Sequence, residues 1–209
     1  MSQQYGSKTY WDSRFAGEDE FDWYHKWNPV LKKQFADVVG DMTDMAILNI
    51  GCGNSSLSRD MYEAGIENIT NMDFSEPVIE SMHVKHQTRF ANMKWEVASV
   101  EDMTEFAADD AFDVVIDKGC LDCILCGDES TKRITGALKE VSRALKPGGT
   151  FISISFAEDR NDVYNNAAEF QWTNHGELPA GVYKLKKPEA SNVPAEGCPY
   201  YFMYVYKKN

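Results

Sequence analysis

The sequence predicts an α/β fold, a doubly wound and mostly parallel sheet with an antiparallel pair of strands at its end. Three observations predict it. Ile47-Leu48-Asn49-Ile50 is a short apolar run that ends in Gly51-Cys52-Gly53, and a stretch with helical spacing (Leu57, Met61, Ala64) follows and stops at Gly65. That is strand, tight turn and helix in sequence. Ala111 to Asp117 is a near-continuous apolar run, as a parallel strand covered on both faces requires. Strand-like and helix-like stretches alternate around these two, which demands right-handed crossovers.

Before the first strand, residues 1 to 30 are rich in rings: Tyr5, Tyr10, Trp11, Phe15, Phe21, Trp23, Tyr24 and Trp27, with charges interleaved. Such a segment either packs on the core as an N-terminal helix or folds over a ligand, since flat rings cover apolar groups while charges fix polar ends. Residues 30 to 40 carry helical spacing (Val30, Leu31, Phe35, Val38, Val39) and end at Gly40. After the glycine turn, Asn68 to Asp73 reads as the second strand. Ser75 caps the next helix, with Pro77 in its first turn and Val78, Ile79 and Met82 facing inward. Met93 to Val97 is the expected third strand and Ala111 to Asp117 the fourth. Ile134, Ala137, Leu138, Val141, Ala144 and Leu145 line one side of a helix that Pro147-Gly148-Gly149 stops. Thr150 to Phe156 is the expected fifth strand. The tail is aromatic and β-rich over 170–177, 182–186 and 200–207, and an edge pair with a loop through Pro188, Pro194 and Pro199 accounts for it.

The 209 residues are expected to form one domain, 1–209: an aromatic segment (1–30), a ligand-binding core (31–157) and a C-terminal β-pair on the substrate side (158–209). No run approaches the roughly 18 apolar residues of a membrane span, and no apolar segment follows the first residues, so neither membrane attachment nor a signal peptide is expected. A cytoplasmic location is the corresponding expectation. The net charge of −12 argues against direct contact with nucleic acid, which needs a basic face. It suits small molecules or basic protein surfaces, and it also serves solubility.

The turn itself narrows the ligand. Gly51 and Gly53 let the backbone bend and approach a bound group. A dinucleotide site wants a third glycine where Ser56 stands, so the turn suits an adenosyl ligand without phosphates, of which S-adenosylmethionine is the common one. Asp73 follows at about the twenty-residue distance where a carboxylate accepts from ribose hydroxyls. That role is preferred to a plain helix cap. Five cysteines, an odd number, argue against a disulfide framework. Cys120, Cys123 and Cys126 invite an iron–sulfur or zinc reading, but no further His or Cys cluster completes a closed site, so no metal is expected.

Four segments resemble a known family. They are Tyr10-Trp11-Asp12-x-Arg14-Phe15, Phe21-Asp22-Trp23-Tyr24, Ile50-Gly51-Cys52-Gly53-Asn54-Ser55-x-Leu57-Ser58, and Phe112-Asp113-Val114-Val115-x-Asp117-Lys118-Gly119-x-Leu121-Asp122. Together they resemble the seven-stranded, Rossmann-like methyltransferases that use S-adenosylmethionine, in particular the group containing the elongation factor 1-alpha lysine methyltransferases. The resemblance spans roughly residues 8 to 157. It implies that Trp11, Phe15 and Trp23 line the cofactor pocket, that Gly51 approaches the methionine part, and that Gly53 also binds the cofactor. It further implies that Asp73 and Phe74 hold ribose and adenine, and that Lys118 touches the cofactor. Ser99 and Val100 would meet the adenine where relatives carry an Asp, or the acid is displaced to Glu101 or Asp102. Asn49 stands where many members of the class have an acid. The implied reaction is methylation of a protein lysine, with a translation factor as partner. Its alternatives are methylation of a small molecule and a non-catalytic partner subunit. Asp117 or Asp122 is a candidate to orient the incoming amine or relay its proton, and both are equally plausible as structural residues.

Overall fold

The computed structural model describes residues 3–165, 170, 172–173, 181–188 and 198–209. A 3-10 turn (Gln3–Gly6) leads into α1 (Lys8–Phe15) and α2 (Pro29–Val39). Strands and helices then alternate: β1 (Ile47–Ile50), α3 (Leu57–Glu63), β2 (Ile69–Asp73), α4 (Glu76–His86), β3 (Lys94–Val97) and β4 (Phe112–Lys118). There follow α5 (Cys120–Ile124), α6 (Ser130–Ala144), β5 (Leu145–Ser155), α7 (Asn161–Tyr164), β6 (Trp172–Thr173), β7 (Gly181–Lys186) and β8 (Tyr200–Lys208).

The strands form one sheet in the order β3-β2-β1-β4-β5-β8-β6, with β7 also pairing β8. β1 to β5 run parallel, and β8 lies antiparallel to β5. β7 pairs with residues 200–205 of β8 and β6 with residues 207–208, so these two share one edge of β8 end to end. The sheet is therefore seven positions wide, mostly parallel, with an antiparallel end.

Strand periodicity sends alternate side chains to opposite faces. Val115 of β4 packs with Ile134, Leu138 and Val141 of α6, and Phe112 joins the same side because the register shifts between it and Val114. Val114 and Ile116 pack with Leu31 and Phe35 of α2 on the other side. Each such fully buried side chain contributes roughly 1.5–3 kcal/mol. α2 starts where Asn28 accepts the amides of Val30 and Leu31, both at 3.0 Å, and Pro29 supplies a first-turn φ without losing a needed donor.

Two stretches differ from the sequence expectation. β5 begins at Leu145, not Thr150, because Leu145 already pairs with Phe112 before the register shifts and Thr150 pairs with Val114. Pro147-Gly148-Gly149 thus forms an irregularity inside the strand, with Gly148 at φ +76°, where a turn ahead of it was expected. In the tail, residues 182–186 and 200–207 fall in β7 and β8, while of the stretch 170–177 the strand β6 covers Trp172–Thr173. Residues 174–177 and Pro194 lie outside the described residues. Among the described residues no helix is long and apolar enough to cross a membrane.

Candidate active site

β1 delivers the chain to Gly51 at φ +55° and Gly53 at φ +51°, both in the left-handed region that favours glycine. A Cβ on Gly51 would lie 2.5 Å from both Cβ and Sγ of Cys120, so nothing larger fits. From β2, the buried Asp73 carboxylate accepts the Gly53 amide at 3.0 Å through one oxygen. Its other oxygen accepts the Ser75 amide at 3.0 Å, so it also holds the start of α4. Burial pushes its pKa up to about 6, against the pull of those two amides.

The aromatic N-terminal segment both forms a helix and lies across this turn. On α1, Phe15 stacks on Trp11 at 5.4 Å between ring centroids and its ring edge would meet a Cβ on Gly53 at 3.2 Å. Polar ties fix the strap at several points. The Ser75 hydroxyl donates to Asp12 at 2.6 Å, and the Asn54 amide donates to the Glu18 carbonyl at 2.8 Å. Asp22 accepts from the hydroxyls of Ser55 (2.5 Å) and Ser56 (2.9 Å) and pairs with the Lys118 ammonium at 3.1 Å. Burial alone would raise the Asp22 carboxyl, but Lys118 and the two serines hold it below the usual range. Lys118 also donates to the Trp23 carbonyl at 3.0 Å.

Between strap and sheet lies a cleft of about 890 Å³, part of it open to solvent. Trp11, Phe15 and Trp23 of the strap line it, with Gly51 and Gly53 of the turn. Asp73 and Phe74 at the end of β2, Ser99 and Val100 after β3, and Lys118 at the end of β4 complete the set that the sequence singled out. Asp117 and Asp122 do not line it. Asp117 is buried in β4, where it accepts the Ser153 hydroxyl at 2.6 Å and the Leu121 amide at 3.2 Å, and burial pushes its pKa up to about 7. Asp122, equally buried, accepts from Tyr24 (2.7 Å), Ser155 (2.8 Å) and Arg160 (2.8 Å). Both are engaged by protein donors away from the cleft.

At the adenine end as the sequence placed it, Glu101 lines the cleft, paired with Arg133 at 2.8 Å. Asp102 instead accepts from the Thr104 amide and hydroxyl. Asn49 lines the cleft and donates to the Ser58 hydroxyl at 2.9 Å and to Asn71 at 3.2 Å. Tyr5, named in the sequence only as one ring of the aromatic segment, and Arg133, which carries no sequence signal, both line the cleft. Only the fold brings the 3-10 turn against α6, where Arg133 donates to the Gly6 carbonyl at 3.3 Å. Cys52, Cys120 and Cys123 also face the cleft, and burial pushes the Cys52 and Cys120 thiols up. Among the described residues no three His, Cys, Asp or Glu side chains are arranged to hold a metal ion.

These walls fit an adenosyl sulfonium. Aromatic faces attract a cation, and a buried carboxylate with lone pairs to spare suits a ribose diol. A pyrophosphate does not fit, because the Gly53 amide it would use is committed to Asp73, whose charge repels it.

Comparison with known proteins agrees. A methyltransferase-domain family model matches residues 41–198. The eEF1A lysine and N-terminal methyltransferase of Mus musculus is 35% identical over 162 residues, which cover 75% of this chain and 22% of that protein. The chain thus spans about a fifth of the length of such relatives. EEF1A lysine methyltransferase 4 of Mus musculus is 32% identical over 185 residues, 81% of this chain and 69% of the relative. Among solved structures, the N-methyltransferase NodS of Bradyrhizobium japonicum in complex with S-adenosyl-L-homocysteine superposes with a TM-score of 0.63 at 13% identity, covering 97% of this chain and 98% of that one, a likeness of fold. Cleft, strap and sheet order thus meet in one assignment: the chain belongs to the S-adenosylmethionine-dependent methyltransferases, in the group that includes the eEF1A lysine methyltransferases, and S-adenosylmethionine is its cofactor.

Proposed function

We propose that this methyltransferase acts on a lysine side chain of a folded protein, with elongation factor 1-alpha in the cytoplasm as the first candidate. The observation that carries the reading is the 32% identity to EEF1A lysine methyltransferase 4 over 81% of this chain and 69% of that relative. The net charge of −12 favours approach of a basic protein surface. Phe21 and Phe156 each remain more than a third exposed and offer apolar contact for the stem of a lysine.

S-adenosylmethionine supplies an electrophilic methyl carbon on a sulfonium, and transfer to an amine is an in-line displacement that needs no covalent enzyme intermediate. The protein's part is positioning and exclusion of water. We assign Asp73 to the ribose hydroxyls, Phe74, Ser99 and Val100 to the adenine, Gly51 and Gly53 to close approach on the methionine side, and Trp11, Phe15 and Trp23 to the cover. Lys118 acts through Asp22 and the Trp23 carbonyl, which it holds in place. A lysine amine, with a free pKa near 10.4, must lose its proton to attack, and desolvation under the aromatic strap favours the neutral form.

The test is direct. The protein is incubated with labelled S-adenosylmethionine and purified elongation factor 1-alpha, and in parallel with a protein-free metabolite extract. Mass spectrometry of the labelled product is expected to place the methyl group on a lysine Nζ. Label in the metabolite fraction alone would establish a small-molecule methyltransferase instead, and cofactor binding without transfer to either would favour a non-catalytic subunit.

A further inference from the structure

Among the described residues, three that are not glycine have left-handed backbone: Tyr24 (φ +63°), Asp110 (φ +54°) and Glu129 (φ +51°). Tyr24 is the outlier, because a bulky aromatic side chain disfavours this region far more than a short polar one does. A conformation of this kind costs about 1–3 kcal/mol and persists only where its surroundings over-determine it. Here they do. The Tyr24 hydroxyl donates to the buried Asp122 carboxylate at 2.7 Å, across 98 positions of sequence. Its ring lies 4.8 Å from that of Tyr201 and would meet a Cβ on Gly119 at 3.2 Å, where Gly119 is itself at φ +91°. The turn after β4 is thus shaped to receive this ring.

The residue before Tyr24 is Trp23, which lines the cofactor cleft, and its backbone is held from the other side by Lys118. The other oxygen of Asp122 accepts from Ser155 at the end of β5 and from the Arg160 guanidinium, both at 2.8 Å. Arg160 is fixed in turn, its amide donating to the Tyr204 hydroxyl at 3.2 Å while that hydroxyl donates to the Ala157 carbonyl at 2.6 Å. One carboxylate therefore joins the strap over the cofactor, the end of β5 and the segment that leads into α7.

We propose that Tyr24 and Asp122 are positioning residues for the methyl-transfer site: their hydrogen bond sets the Trp23 wall of the cofactor cleft and ties it to the Ser155–Arg160 segment. Neither touches the cofactor. Asp122 is then the fixed point against which the strap closes. This holds whatever the methyl acceptor is, because it concerns the cleft alone.

Tyr24→Phe removes a single oxygen and keeps the ring against Gly119 and Tyr201. S-adenosylhomocysteine titrated calorimetrically into the purified full chain is expected to bind this variant roughly tenfold more weakly, as loss of a hydrogen bond to a charged group allows. The amides of residues 21–24 are expected to exchange faster in the variant's cofactor complex than in the unaltered one. A purely structural role lowers the melting temperature without moving either readout, so unchanged affinity and exchange would overturn the proposal. If Tyr24→Phe yields no folded protein, Ser155→Ala removes a different donor from the same carboxylate without touching the strap. It is expected to weaken binding in the same direction, and affinity equal to the unaltered protein would overturn the proposal.

Discussion

The Lys118 ammonium and the Asp22 carboxylate meet at 3.1 Å with each side chain only 3% exposed, an ion pair sealed between β4 and the strap. Burial pulls the Lys118 pKa down, and Asp22 opposes that pull. Removing one partner strands the other charge, whereas removing both relieves the problem. Lys118→Met is therefore expected to destabilise the protein by about 3–5 kcal/mol in urea unfolding. The double variant Asp22→Asn with Lys118→Met is expected to recover part of that loss. Additive losses in the double variant would show that the two charges do not act as a pair.

Gly51 carries a steric prediction. Its φ of +55° costs a side chain about 1–3 kcal/mol, and an added Cβ meets Cys120 Cβ and Sγ at 2.5 Å. Gly51→Ala is expected to lower the melting temperature and abolish S-adenosylhomocysteine binding. Cys120→Ala, added to it, keeps the Cβ clash and is expected not to restore binding. A Gly51→Ala protein that binds normally would mean that the turn has slack these contacts deny.

Burial raises Asp117 to about 7, above the 3.8 of an unperturbed carboxyl. The folded chain then holds a proton there that the unfolded chain has released, so the contribution is full below about pH 4 and is lost as pH rises through about 7. Asp117→Asn does not titrate: its oxygen accepts from the Leu121 amide, and its NH2 takes the place of the oxygen facing Ser153, whose hydroxyl turns to accept. Relative to this variant, the unaltered protein is expected to lose unfolding free energy between about pH 4 and about pH 7. Asp12 and Asp22, whose pKa values are lowered, act at lower pH and cancel in the comparison. A pH-independent difference would contradict the burial of Asp117 as a neutral acid.

What the sequence disclosed follows from range. The glycine turn, the second strand closing on Asp73 and the amphipathic α6 are written in neighbouring residues, so spacing alone reveals them. Period-two alternation puts Asp117 and Lys118 on opposite faces of β4, but which face meets the cleft is decided by where α6 and the strap pack. That is why Lys118 lines the cleft and Asp117 does not. The ties from Asp22 to Lys118 and from Tyr24 to Asp122 cross 96 and 98 positions and leave no local signal. The start of β5 was hidden for a different reason: Pro147-Gly148-Gly149 reads as a stop, yet Leu145 ahead of it already pairs with Phe112.

The cofactor assignment depends on the cleft between strap and glycine turn being the place where S-adenosylmethionine binds, with Asp73 as its buried acceptor. Calorimetric titration of S-adenosylhomocysteine into the unaltered protein and into Asp73→Ala tests this most directly. The expected result is saturable one-to-one binding that Asp73→Ala weakens by about 1.5–3 kcal/mol, the scale of a hydrogen bond to a charged group. Binding of equal strength in Asp73→Ala, or binding of NAD with no response to S-adenosylhomocysteine, would contradict it.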